Sequence, residues 1–152
     1  MIQSILEQIT ILPSNSSAIS FTDDDIRTNS ANCCGWLQHS EGSPIYKILT
    51  GGLYEVSFNT NVTSATAGTV AFGLYQDGVL IPGTTVIAEV ATAGDYYNVS
   101  FDKLIKVCCR GDAVLSIQSV PSVLTGATLP GTPTDTEIPI IQNANISIVK
   151  KA

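Results

Sequence analysis

Apolar and polar residues alternate along most of this chain, which is the period of a β-strand with one buried face. The clearest example is segment 53–62, in which Tyr54, Val56 and Phe58 fall on one face while Glu55 falls on the other. The segment is therefore predicted to be a strand that covers a core with one side and meets solvent or a partner with the other.

The next apolar segment, 69–75, differs because both of its faces are apolar or small. This pattern is typical of a strand that is covered on both sides. In a domain of this size, we expect the second cover to be a neighbouring subunit. Asp77 and Gly78 follow directly and favour a tight hairpin turn.

Turn-forming residues separate further short strands, and no helical segment lies between them. Strands are predicted at 85–90, 96–101, 113–120 and 145–149, with weaker ones at 18–21, 34–38 and 45–49. Eight or more short strands of this kind predict an all-β sandwich or jelly roll. Without crossover helices, a doubly wound α/β fold is excluded.

The first 13 residues do not follow this two-residue alternation. They carry an apolar stripe with the spacing of a short helical seam, formed by Ile2, Ile5, Ile9 and Leu12. Residues 9–11 alternate as an edge strand does, and Pro13 ends either element. We interpret 1–13 as a docking and oligomerisation arm ahead of a domain at 14–152. The alternative is that the stripe packs back on its own domain.

A second irregular segment, 121–143, is rich in proline, threonine, serine and glycine. Its prolines are Pro121, Pro130, Pro133 and Pro139. Proline cannot donate to a sheet ladder, so the segment is predicted to be a long surface loop.

The composition of the chain argues against several classes of function. The 152 residues fit one domain, and only 13% are charged, with a net charge of −6. A nucleic-acid partner is not expected, because the chain lacks a basic footprint. No apolar run approaches the roughly 20 residues of a membrane span, so membrane insertion is not expected. The first residues lack a basic leader, so we expect synthesis in a cytoplasm.

Four cysteines form two adjacent pairs, Cys33-Cys34 and Cys108-Cys109. Neighbouring residues of a strand point to opposite faces, so a four-thiolate metal site is not expected. Buried free thiols are the favoured interpretation, and a disulfide between one cysteine of each pair is the alternative.

Other chemistry is sparse. His39 is the only histidine, and no nucleophile motif accompanies it, so neither catalysis nor a cofactor is expected. Three carboxylates at 23–25 are interpreted as a solvated acidic turn, with calcium binding as the weaker alternative. Arg110-Gly111-Asp112 spells an adhesion tripeptide, but a turn before a strand explains it better.

Several motifs, in order along the chain, resemble the complement/tumour-necrosis-factor-like jelly-roll superfamily. Segments 52–58 and 71–78 are similar to a Gly-x-Tyr strand and a Leu-Tyr-x-x-Gly hairpin. Segment 111–117 is similar to the family's Gly-Asp-x-Val entry to a late strand, and 143–150 to its closing strand. The overall pattern of residues is most similar to that of the bacterial branch, which includes spore-surface collagen-like glycoproteins and related phage virion proteins.

The resemblance implies a ten-strand jelly roll that assembles as a homotrimer. We expect the trimer interface or core to be built from aromatic residues: Tyr54, Phe58, Phe72, Tyr75, Tyr97 and Phe101. A collagen-like stalk is absent, which favours a compact unit that docks on a larger surface.

The sequence thus predicts a non-enzymatic surface module that decorates a bacteriophage capsid or tail. The chain would be made in the bacterial cytoplasm and reach the virion surface by docking through residues 1–13. One alternative is a receptor-binding tip that recognises a glycan or a host surface protein. The other is a spore-surface or cell-surface protein.

Overall fold

A computed structural model of the chain describes residues 1–27, 35–108, 112–124 and 133–152. These residues form β-strands connected by turns and contain no helix. None of them forms a helix long and apolar enough to cross a membrane. The strands are β1 (Ile2–Leu6), β2 (Thr10–Ile11), β3 (Asp23–Arg27), β4 (Leu37–Gln38), β5 (Tyr46–Ile48), β6 (Gly52–Ser64), β7 (Gly68–Gln76), β8 (Val79–Leu80), β9 (Val86–Val90), β10 (Tyr97–Val107), β11 (Ala113–Ser119), β12 (Ser122–Val123), β13 (Thr134–Asp135) and β14 (Pro139–Lys150).

The first sheet has the order β10-β6-β14-β1-β3, with β2 also paired to β14. All of its pairings are antiparallel, and its long central strand β14 lies between β6 and β1. The last strand of the chain thus sits beside the first, which is the crossover expected of a jelly roll. The predicted all-β jelly roll is confirmed.

The second sheet has the order β4-β5-β11-β7-β8, with β9 also paired to β7. The hairpin predicted at Asp77-Gly78 joins β7 to β8. Both residues have positive φ, 52° and 80°, as a two-residue hairpin turn of type I′ requires.

Aromatic side chains fill the space between the two sheets. Phe58 lies edge-on to Phe72, with ring centroids 5.9 Å apart, and packs against Phe101 at 5.6 Å. These three rings and Tyr54 are buried within a single chain, whereas Tyr75 and Tyr97 are half-buried. Four of the six predicted aromatic residues therefore belong to the core of the protomer, and an intersubunit role stays a prediction.

The second face of β7 is covered by the same chain. Ala71 on that face packs with Val120 and Val123, and Tyr75 and Leu80 complete the cluster. The expectation that a neighbouring subunit supplies this cover is wrong. The physical reason is that the β8 hairpin and the segment after β11 bring enough apolar surface to bury the face without a partner.

The amino-terminal segment forms part of the first sheet. Strand β1 pairs with β14 on one side and β3 on the other, and Ile2 and Leu6 are buried. The predicted helical seam does not form, because pairing in the sheet satisfies the backbone and buries alternate side chains instead. Leu12 is also buried. The boundary at residue 13 is therefore corrected, and the alternative of packing on the same domain applies.

Two further expectations change. The acidic segment 23–25 lies in strand β3 and is not a turn. The predicted loop 121–143 contains β12 and β13, and its last five residues belong to β14. Pro139 is tolerated because it occupies the first position of that strand. Residues 125–132 lie outside the described part.

The cysteine and adhesion-motif predictions fall largely outside the described residues. Cys33, Cys34, Cys109, Arg110 and Gly111 are not among them. Cys108 is described and is an exposed free thiol, so it is not a buried one. The pairing of the cysteines stays a prediction.

Candidate functional site

The outward face of the first sheet carries mostly small uncharged polar side chains. Because side chains alternate along a strand, the residues between the buried ones of β1, β6, β10 and β14 point away from the core. We use "outward face" for the polar residues at the middle of this side: Gln3, Ser57, Asn59, Asn61, Asn98, Ser100, Asp102, Asn145 and Ser147. Apolar and charged residues of the same strands also point outward: Ile5, Leu53, Glu55, Leu104, Lys106 and Val149.

The strand register places these side chains side by side. Asn59 is opposite Asn145 on β14 and Ser100 on β10, and one row along, Ser57 is opposite Ser147 and Asp102. The polar residues therefore form one continuous surface across three strands.

Three asparagine side chains in this surface bind one another. The Asn98 amide donates to the side-chain oxygens of Asn61, at 2.9 Å, and Asn59, at 3.2 Å. Asn59 donates back to Asn98 at 3.3 Å. Mutual hydrogen bonds hold these amides in place although solvent reaches them.

Two shallow depressions lie in the outward face, with volumes of about 250 and 190 Å³. Both are bordered by Asn59 and Asn145. The first is also lined by Ser100 and Asp102, and the second by Ile5. Amide, hydroxyl and carboxylate groups line this part of the surface.

One end of the same sheet is apolar. Ile11 of β2 is paired with Ile140 of β14, and Ile9 stands two residues before Ile11, just ahead of the strand. Ile9 and Ile11 are each 67% exposed, and Ile138 is 45% exposed. We call these four residues the isoleucine patch. Exposed isoleucines grouped in this way are typical of a contact surface.

Among the predicted docking residues, Ile5 points to this side of the sheet and Ile9 is exposed. Ile5 is half-buried beside Asn145, and Ile2 and Leu12 belong to the core. Because neighbouring side chains of a strand point to opposite sides, the residues of the predicted stripe lie on different sides of the sheet. A helix would have placed them on one side.

A second polar site is buried between the edges of the two sheets. The Ser4 hydroxyl donates to the Asp24 carboxylate at 2.5 Å, and His39 Nδ1 contacts the same oxygen at 2.8 Å. His39 Nε2 lies 3.0 Å from the Ser43 carbonyl. The side chains of His39 and Asp24 are 0% and 4% exposed. We call Ser4, Asp24 and His39 the edge cluster.

The edge cluster packs against Tyr46 of β5. The imidazole of His39 stacks on the Tyr46 ring, with centroids 4.0 Å apart and planes within 8°. The Tyr46 hydroxyl is buried, and among the described residues it has no partner within hydrogen-bond geometry. Burial raises the pKa of Tyr46 well above its usual range, the nearby Ser4 side chain opposes the increase, and the Asp24 charge adds to it.

The edge cluster does not have the geometry of a nucleophilic triad. Ser4 contacts the carboxylate rather than the imidazole, so His39 is not placed to take its proton. The carboxylates do not converge on a cation either. Across the described ranges, no group of three or more histidine, cysteine or acidic side chains could hold a metal ion.

Sequence reasoning missed this cluster. The run of three aspartates carries no apolar alternation that marks Asp24 as the inward residue, and His39 stands alone in its segment. Only the pairing of Ser4 with Asp24 across β1 and β3 brings the groups together.

Comparisons with known proteins identify the fold. No protein-family model matches the chain, and no curated protein matches it. Among solved structures, the globular domain of zebrafish complement 1qA covers 99% of this chain and 96% of its own, with a TM-score of 0.65 at 10% identity. The Eiger TNF of S. frugiperda covers 99% and 91%, with a TM-score of 0.59 at 9% identity.

A third structure, murine APRIL, covers 95% of both chains with a TM-score of 0.53 at 12% identity. At such identities the likeness concerns the fold alone. The resemblance to the bacterial and phage branch stays a prediction. What the comparisons show is that this chain has the jelly-roll fold of complement C1q and TNF proteins.

Proposed function

We propose that this chain is a non-enzymatic surface module that assembles as a homotrimer through the outward face and the isoleucine patch. The observation that carries the proposal is the contrast between the two sheets. The chain covers the outer side of β7 with its own Val120 and Val123, yet leaves the isoleucines of the first sheet exposed.

The chemistry of the outward face supports self-association. Around a symmetry axis, a charged side chain meets copies of itself, and the repulsion destabilises the assembly. Amides and hydroxyls both donate and accept, so they can bind their own copies. Asn59, Asn61 and Asn98 group three amides here, beside the Ser100 hydroxyl, and Asp102 is the one carboxylate of the outward face, although the chain as a whole has a net charge of −6.

The isoleucine patch supplies apolar area for the same contact. Complete burial of one isoleucine side chain is worth about 1.5–3 kcal/mol. Ile9 and Ile11 are two-thirds exposed in the single chain, so most of this free energy is still to be gained. The three-fold arrangement is the one that the C1q/TNF resemblance implies.

Sedimentation of the purified chain tests the assembly. We expect a species of three times the 16.0 kDa chain mass. Asn145→Arg, which places a charge at the centre of the outward face, should give a folded monomer. The matched control is Val79→Arg at the β7–β8 hairpin, 70% exposed on the other sheet, which should remain a trimer. A wild-type chain that stays monomeric at every concentration overturns the proposal.

We place the module on a bacteriophage virion, as the resemblance of its sequence pattern to the bacterial and phage branch implies, with synthesis in the bacterial cytoplasm. Mass spectrometry of purified virions tests this assignment, and absence of the chain from the particles contradicts it. Recovery from spore coats instead would favour the spore-surface alternative.

A second candidate is a receptor-binding module for a glycan or a host surface protein. The depression lined by Ser100, Asp102 and Asn145 favours it, because amide, hydroxyl and carboxylate groups hydrogen-bond sugar hydroxyls. A glycan array probed with the wild-type chain tests it. Binding that is lost in Asn145→Arg supports a site on this face, and an empty array argues against it.

A further inference from the structure

Four of the chain's five lysines lie near one end of the first sheet. Strands β10 and β14 both run antiparallel to β6, so Lys106 and Lys150 stand beside the first three residues of β6. Lys106, Lys150 and Lys151 are exposed, and Lys103, earlier on β10, is half-buried. We call Lys103, Lys106, Lys150 and Lys151 the lysine end.

The lysine end keeps positive charge that the chain does not neutralise. Among the described residues, neither Lys106 nor Lys150 forms an ion pair. Asp102 lies four residues before Lys106 and offsets part of the charge. The ion pairs found nearby are Glu55–Lys151, at 2.6 Å, and Asp112–Lys47, at 3.8 Å.

The opposite end of the sandwich is acidic. Glu89 of β9 is paired with Thr69 at the start of β7, and the Glu137 amide donates to the Thr69 carbonyl at 2.7 Å, so two glutamates stand next to one residue. Segments 62–70, 88–99 and 133–141, which lie at this end, contain no lysine or arginine. We call Glu89, Asp95, Asp135 and Glu137 the acidic end.

The two ends are too far apart to neutralise each other within one chain. Strand β6 runs from the lysine end to the acidic end, and its 13 residues span about 40 Å at roughly 3.3 Å per residue. Solution ions screen charges over about 8 Å at physiological ionic strength. Each end therefore presents its own charge to its surroundings.

We propose that the lysine end of one copy binds the acidic end of the next, so that copies associate head to tail. A second copy is the partner because the chain itself carries the complementary charge. Each end also exposes a large apolar side chain beside its charges: Leu104, 55% exposed, next to Lys103, and Tyr96, 38% exposed, next to Asp95.

A contact between two different surfaces, repeated along one direction, builds an open filament and not a closed ring. The contact uses the ends of the strands, so it does not rest on the trimer proposed above.

Sedimentation of the whole chain in about 0.1 M and about 1 M salt tests the contact, because the screening length falls from about 10 Å to about 3 Å. In the lower salt, the mean mass should rise with concentration above that of the unit found in the higher salt. The association constant between units should be at least about tenfold smaller in the higher salt. The mass of the unit in the higher salt reports the trimer separately, so failure of one proposal is distinguished from failure of the other.

Two charge-reversed variants test the pairing of the ends. Lys106→Glu/Lys150→Glu and Glu89→Lys/Asp95→Lys change exposed residues, and circular dichroism checks that both variants fold. Neither variant should form filaments by itself, because like charges then meet. An equimolar mixture should form them again, because the reversed charges of one variant face those of the other. The second variant has a smaller net negative charge than the wild type, so repulsion between whole chains does not explain its failure to associate.

A wild-type mass that is the same in both salts at every concentration overturns the inference. Filament growth by either variant alone, or a mixture that does not associate, overturns it as well. Binding of a chain that does not self-associate to immobilised poly-glutamate would assign the lysine end to a different acidic partner, which also contradicts the proposal.

Discussion

The two outer sides of this sandwich are built differently. On the second sheet, Ala71 and Gly73 of β7 lie beneath Val120 and Leu80, so the chain closes that side itself. A side-chain carbon added at Gly73 would overlap Leu80 and approach Val120 to 3.3 Å. On the first sheet, the amides, hydroxyls and the Asp102 carboxylate of the outward face, together with the isoleucine patch, are exposed or half-buried among the described residues.

This difference shows where a partner is needed. A strand with two apolar faces does not by itself indicate a subunit contact, because a hairpin and a returning segment can supply the second cover. The surface that remains for a partner is the one that looks more polar in sequence. Most of its residues are small and uncharged, with Asp102 as the exception, and the isoleucine patch adjoins them.

The largest effect is expected inside the sandwich. Phe72→Ala should lower the free energy of unfolding by about 3–5 kcal/mol, because Phe72 is fully buried and packs against Phe58. Urea denaturation measures the change at a chain concentration that gives monomers. Val79→Ala at the exposed hairpin is the control and should change stability by less than about 0.5 kcal/mol. A folded, stable Phe72→Ala chain that has lost only its assembly would mean that this ring belongs to the interface.

The contrast between the two sides can be tested with a matched pair of valines. Val120→Ala on the closed side should cost about 1.5–2.5 kcal/mol, because two buried methyl groups are lost from a covered cluster. Val149→Ala on the open side should leave the stability of the monomer nearly unchanged and weaken the oligomer. Val149 is half-buried in the single chain. Equal effects on monomer stability would show that the two sides do not differ.

Much of the fold follows from the alternation of residues. Segments 53–62 and 69–75 became β6 and β7 with nearly the predicted bounds, and the Asp77-Gly78 turn formed as expected. Strand β10 continues to Val107, beyond the predicted end at Phe101. The extension contains Lys103 and Lys106, whose charges interrupt the apolar period although the backbone pairing with β6 continues.

The candidate sites were harder to predict, because they depend on contacts between distant segments. The spacing of Ile2, Ile5, Ile9 and Leu12 fits a helix, and only pairing with β14 shows that residues 2–6 form a strand instead. Asp24 and His39 meet because β3 and β4 lie at the edges of different sheets. The outward face is recognised only when the register aligns its asparagines.

A third test examines the margin where the two sheets meet. The folded chain holds the pKa of Tyr46 above its unfolded value, so the unfolded chain releases the proton first. Stability from this source is complete below about pH 10 and falls as the pH rises further, by about 1.4 kcal/mol at pH 11. Tyr46→Phe should remove this part of the loss, which chemical denaturation at pH 8 and pH 11 measures. The same decline in Tyr46→Phe would assign it to other groups, such as Tyr75, whose pKa burial also raises.

The smallest effect is expected at the asparagines of the open side. Asn98→Ala removes hydrogen bonds to Asn59 and Asn61, yet these groups are reached by water in the single chain. The free energy of unfolding of the monomer should therefore change by less than about 0.5 kcal/mol. In an assembly that covers this face, the remaining amides lose water as well as their partner, and the cost rises to about 1–3 kcal/mol. Unfolding measured below and above the association concentration separates the two situations, and an effect that is equally small at both concentrations would show that the asparagines stay in water.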